Sequence, residues 1–154
     1  MQLVTKNKTI NLVIRTRKLV DVSNILGGNN FEEVYFKAMN KLNLESLSKI
    51  IYLFAENEDK SNPFKNSTEV CDFIDDYKLE TGKSYEDIYN EIAEVINEEG
   101  FFNKKMSKKQ LKDKMSNPFG QVNLEDIVKT SAEKAITSVA QEQFKGFVAQ
   151  GYQN

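Results

Sequence analysis

Leu3 to Ile14 (LVTKNKTINLVI), Arg17 to Gly28 (RKLVDVSNILGG) and Asn30 to Ala55 (NFEEVYFKAMNKLNLESLSKIIYLFA) together decide the fold. In the first stretch Leu3-Val4, polar Lys6-Asn7-Lys8, and then Ile10, Leu12 and Ile14 predict two brief strands about a turn. In the second, Leu19, Val20, Val22, Ile25 and Leu26 recur at helical spacing, and the paired glycines stop the helix. Phe31 to Leu42 and Leu44 to Phe54 repeat the helical period. The opening is therefore a hairpin followed by three helices.

Downstream the helix signals continue. Asn66-Ser67 offers an N-cap for a helix carrying Val70, Phe73, Ile74 and Tyr77, with Gly82 suited to its exit. Ser84 and Asp87 form a capping-box pattern. The helix they open places Tyr85, Ile88, Tyr89, Ile92, Val95 and Ile96 on one broad face, with Glu86, Glu91, Glu94 and Glu98 on the wetter side and Gly100 as its end. Between these blocks, Asn57 to Lys65 is a polar loop holding Ser61-Asn62-Pro63-Phe64. The same four residues recur at Ser116-Asn117-Pro118-Phe119. Proline disfavours helix in the residue before it, so each copy interrupts helix, and the phenylalanine can anchor its loop on an apolar surface. Asn123 can cap a last helix running to about Val148, with Leu124, Val128, Ala132, Ala135, Ile136, Val139 and Ala140 in a drifting stripe and Phe144 and Phe147 near its end. That alanine-rich stripe buries little area per turn, so it either folds back on the core or waits for a partner groove. The expected fold is mainly α (α+β): a short N-terminal β-hairpin, a compact bundle of about five helices and a C-terminal helical extension. Residues 1–100 form the core, 101–120 a basic connector and 121–154 the amphipathic helix.

A chain of 154 residues with 40% apolar residues, ten phenylalanines and six tyrosines suits one globular domain. Histidine is absent, which removes Ser-His and Cys-His catalysis and His-ligated zinc. The one cysteine, Cys71, allows no internal disulfide and reads as a small buried hydrophobe. Asp72, Asp75, Asp76, Glu91 and Glu94 lie at spacings of solvated helix faces, and no calcium-type loop surrounds them. Gly27-Gly28 lacks the flanking pattern of a phosphate cradle. No apolar run reaches the roughly 18 residues of a membrane span, and the N-terminus lacks a secretory pattern. A cytosolic protein with no enzymatic activity, metal or cofactor is expected.

Charge is segregated along the chain although the net value is only −2. Ser67 to Glu99 holds eleven acids against Lys78 and Lys83; Gly100 to Gly120 holds six lysines against Asp113. Lys104, Lys105, Lys108, Lys109, Lys112 and Lys114 could follow a nucleic-acid backbone, with Phe101 and Phe102 stacking on bases. This supplies the alternative reading, a small nucleic-acid-binding or regulatory protein of a mobile element. The acidic total and the presence of only Arg15 and Arg17 for base-edge readout weigh against it. The basic stretch can equally lie against the acidic helices of its own chain or of a neighbouring copy.

The opening resembles the tail assembly chaperones of long-tailed bacteriophages and prophages. The resemblance covers about residues 1–100. It is carried by the hairpin Leu3 to Ile14, the helix closing on Gly27-Gly28, the start Asn30-Phe31-Glu32-Glu33, and Leu44-Glu45-Ser46-Leu47 leading to Ile50-Ile51-Tyr52-Leu53-Phe54-Ala55. Where many members carry Leu-Glu in the first helix, this chain has Val20-Asp21. The resemblance implies a non-enzymatic role in the host cytoplasm: binding the long helical tape measure protein, helping recruit tail tube protein, self-associating, and being absent from the finished particle. No membrane partner is implied. Partner contacts are expected from Leu124, Val128, Ala135, Val139, Phe144 and Phe147 on the last helix, and from Lys108 and Lys112 in the basic stretch.

Overall fold

The computed structural model describes residues 1–116. Strands β1 (Gln2–Val4) and β2 (Thr9–Asn11) pair antiparallel with Leu3 opposite Ile10. Alternation sends Leu3 and Ile10 into the core, where both are almost fully buried, and leaves Val4 at the surface. Thr5 closes the turn through its backbone N–H and its hydroxyl, both bonded to the Lys8 carbonyl. Such a small hairpin needs a support. It gets one from the residues after β2: Leu12 bridges to Ala55, Val13 N–H donates to the Phe54 carbonyl, and Glu56 N–H donates to the Asn11 carbonyl.

The helices follow as α1 (Thr16–Ile25), α2 (Phe31–Asn40), α3 (Leu44–Phe54), α4 (Ser67–Thr81), α5 (Tyr85–Glu98) and α6 (Lys108–Ser116). The expected mainly α architecture with an N-terminal hairpin is what the structure shows, with six helices among the described residues. Helix α3 is deeply set: Leu47, Ile50, Ile51 and Phe54 expose nothing to solvent. Asn43 caps it by accepting from Ser46 N–H, as Asn30 and Asn66 cap α2 and α4 through Glu33 and Glu69 N–H. Ser84 and Asp87 complete a reciprocal box at the start of α5.

The paired glycines at 27 and 28 do two different jobs. Gly27 takes a left-handed φ of 82°, and the N–H groups of Gly27 and Gly28 bond back to the carbonyls of Asn24 and Ser23, closing α1 in a Schellman turn. A Cβ on Gly28 would lie 2.3 Å from Val34 Cγ1, so the second glycine lets α2 start close against the end of α1. Of the apolar set on α1, Leu19 and Val22 are buried, whereas Val20 and Ile25 are about half exposed. A ten-residue helix resting on α2 and α3 needs only a narrow stripe, and Val20 and Ile25 fall outside it.

Cys71 is corrected from buried to exposed. The inward stripe of α4 is Val70, Phe73, Ile74 and Tyr77, and one residue beyond Val70 is a 100° rotation, which carries Cys71 to the solvent side with Asp72, Asp75 and Asp76. In the first Ser-Asn-Pro-Phe loop, Phe64 is buried, packs edge-on against Phe73 at 5.7 Å, and has Lys8 Nζ 4.7 Å above its ring. The phenylalanine anchors the loop as expected; Asn117 to Phe119 of the second copy lie outside the described residues.

Glu56 is the one buried carboxylate of the described core. Arg15 donates to it, Lys18 Nζ lies 3.0 Å away, and these two cations hold its pKa down to about 2. Because the folded value lies below the unfolded one, the interaction stabilises the protein above pH 4.5, the ordinary carboxyl value, and is lost as pH falls towards 2. Urea titrations between pH 5 and 2 should show a steep loss of stability in the native chain and a shallower one in Glu56→Gln. Parallel curves would exclude Glu56 as the source.

Candidate functional site

The basic connector expected at 101–120 is corrected over its described part, because the core does not stop at residue 100. Helix α5 ends where Gly100 adopts a left-handed φ of 77°, with Gly100 N–H bonded to the Asn97 carbonyl and Phe101 N–H to the Ile96 carbonyl. This turn sends the chain back so that Phe102 enters the interior, only 5% exposed. Its ring sits 5.0 Å from Phe36, 6.0 Å from Tyr35 and 6.1 Å from Phe31. Phe102 is therefore a core ring of α2's aromatic cluster and is not available to stack on a base.

Two buried side chains, Asn97 and Leu111, fix the path of the chain beyond Phe102. Asn97, on α5, clamps the returning loop: its Nδ2 donates to the Met106 carbonyl and its Oδ1 accepts from Met106 N–H, each at 2.9 Å. Ser107 and Gln110 then cap α6 reciprocally, the hydroxyl accepting from Gln110 N–H and the Gln110 carboxamide from Ser107 N–H. Leu111, 4% exposed, is the buried apolar anchor of a mostly polar helix that packs on α2 and α5. At the far end Lys114 pairs with Glu32 at 3.2 Å and lies over the Phe36 ring. Lys105 also lies 3.9 Å from Glu98 of α5, so part of the basic stretch does lie against an acidic helix of its own chain.

Between α5 and α6 this arrangement leaves a groove of about 550 Å³. Asn90, Glu94, Asn97 and Glu98 line it from α5; Met106, Lys108, Leu111, Lys112 and Met115 line it from the other side. Its floor is soft and apolar, since methionine adapts its shape to what it meets. One wall is acidic and the other basic. Asn90 Oδ1 is buried and accepts no hydrogen bond from the described residues.

Lys108 and Lys112, read from the sequence as partner contacts, both line this groove. Leu124, Val128, Ala135, Val139, Phe144 and Phe147 lie outside the described residues. Asn90, Asn97, Met106 and Met115 were not legible as site residues, although Leu111 and Met115 at a four-residue spacing after a Ser-x-x-Gln pattern were a signal for α6. Glu94 and Glu98 remain exposed, whereas Glu91 is half-buried and bound to Lys83 at 2.6 Å and to the Tyr77 hydroxyl. A second, smaller groove of about 190 Å³ has Ile25, Tyr52 and Leu53 among its lining residues. Among the described residues no helix is long and apolar enough to cross a membrane. No family model matches the chain, nor does any curated protein or solved structure.

Proposed function

We propose that this protein is a non-enzymatic tail assembly chaperone of a long-tailed bacteriophage or prophage, which binds the tape measure protein and helps tail tube assembly around it. The supporting observation is the α5–α6 groove, lined by two methionines and Leu111 between charged rims on a helical scaffold. Helical clients are held by laying an apolar face into such a groove. The order of hairpin, α1, Gly27-Gly28, α2 and α3 also fits this reading. The work is done in the host cytoplasm with tape measure and tail tube proteins as partners, and with self-association, before the particle is finished. Residues 121–154 add a second partner-binding arm through the stripe that begins at Leu124.

Co-expression tests the proposal. A gene for this protein should lie beside those for a tail tube protein and a very long tape measure protein. The tape measure protein should become soluble and co-purify when the two are produced together. A tape measure protein that stays insoluble or unbound would overturn the reading. Removing residues 120–154 should weaken binding; unchanged binding and self-association would exclude the arm.

A further inference from the structure

We propose that the α5–α6 groove accepts one amphipathic helix of a partner protein and selects its direction by charge. The occupant has methionine- or leucine-sized side chains on its inner face, basic residues on the flank beside α5 and acidic residues on the flank beside α6. This deepens the binding reading above and rests on it for the choice of a helical partner.

The observations that carry it are the walls, the floor and the pins. Glu94 and Glu98 stand exposed on the α5 wall, Glu98 with Lys105 3.9 Å away at the surface, and Lys108 stands exposed on the α6 wall. Met106 and Met115, both half-buried, flank Leu111 along the floor. The groove is held open at one end by the Asn97–Met106 clamp and at the other by the Lys114–Glu32 pair, so little ordering is left for the moment of binding. Turning a helix end for end exchanges its two flanks. Walls of opposite sign therefore discriminate between the two directions, whereas walls of like sign would not.

The test uses the full chain and three synthetic helical peptides sharing one Met/Leu stripe. Their flanks are basic and acidic, both basic, or both acidic. The mixed-flank peptide should bind about tenfold more tightly than the others at low ionic strength, and the advantage should shrink as salt screens the rims. A paramagnetic label on its N-terminus should broaden amides at one end of α5, and exchanging the flanks should move the broadening to the other end. Glu94→Lys with Glu98→Lys, both at exposed positions, should shift the preference to the doubly acidic peptide.

Equal affinities for the three peptides, or broadening that does not move, would overturn the inference. So would an oligonucleotide that binds and is lost in Lys108→Glu while no peptide binds. A dimer of this chain that Glu94→Lys with Glu98→Lys abolishes, again without peptide binding, would overturn it in favour of a second copy. Peptides that bind as expected while the tape measure protein does not would remove only the client named above, leaving the groove's chemistry in place.

Discussion

Phe102→Ala is expected to destabilise the protein by about 3–5 kcal/mol, the range for deleting a buried aromatic ring. Small domains hold about 5–15 kcal/mol in all, so one substitution removes a large fraction of the fold's stability. The ring fills a space bounded by Phe31, Tyr35 and Phe36, and these come from one rigid helix that cannot collapse inwards without breaking its other contacts. Phe101→Ala, at the half-buried neighbouring position, is expected to cost about 1 kcal/mol, in proportion to the smaller area it removes from water. Urea unfolding of both variants decides the matter, with the midpoint reporting stability and the slope reporting surface exposed. If Phe102 were a surface ring kept for stacking on bases, its removal would stay within about 0.5 kcal/mol. Equal and small effects at both positions would place the boundary of the core back at residue 100.

The contrast explains which parts of the fold could be read from the sequence. Helices α4 and α5 were legible because their apolar periods, asparagine and serine caps and terminal glycines all agree, and α3 was legible from its apolar period alone. The hairpin was legible from its alternation, but not its docking on residues 54–56, which depends on backbone groups that carry no side-chain signature. Val20 and Ile25 fit the helical period of α1 yet stay exposed, since the period reports spacing and not how wide a face the neighbours cover. Phe102 was misplaced, and Leu111 passed over, for the opposite reason. Each is apolar beside many lysines, and local composition outweighed a contact made with α2 across the sequence. Half of the described groove follows the same rule. Its charged rims are visible as charge segregation, whereas its floor and its clamp depend on the turn at Gly100.

That clamp carries the second large effect. Asn97→Ala is expected to cost about 2–3 kcal/mol, because it removes two hydrogen bonds at once and leaves the Met106 N–H and carbonyl partly buried without partners. Asn97→Asp is a sharper probe. It keeps the shape and the acceptor for Met106 N–H, but it turns an oxygen towards the Met106 carbonyl where a donor stood, so it should not rescue stability. The loss should be regional as well as global: amide exchange in α6 should quicken by more than tenfold, while α3, which shares no hydrogen bond with the clamp, keeps its protection relative to the rest of the chain. Asn90 supplies the control from the same helix, one wall of the same groove. Its Oδ1 has no partner among the described residues to lose, so Asn90→Ala should leave stability within about 0.5 kcal/mol or raise it. The clamp that sets the groove and a lining residue outside the clamp thus separate in one pair of measurements. Asn97→Ala should lower both stability and helix binding, and Asn90→Ala should lower neither. If Asn97→Ala weakened the fold but left peptide affinity unchanged, α6 would not be a wall of the binding site.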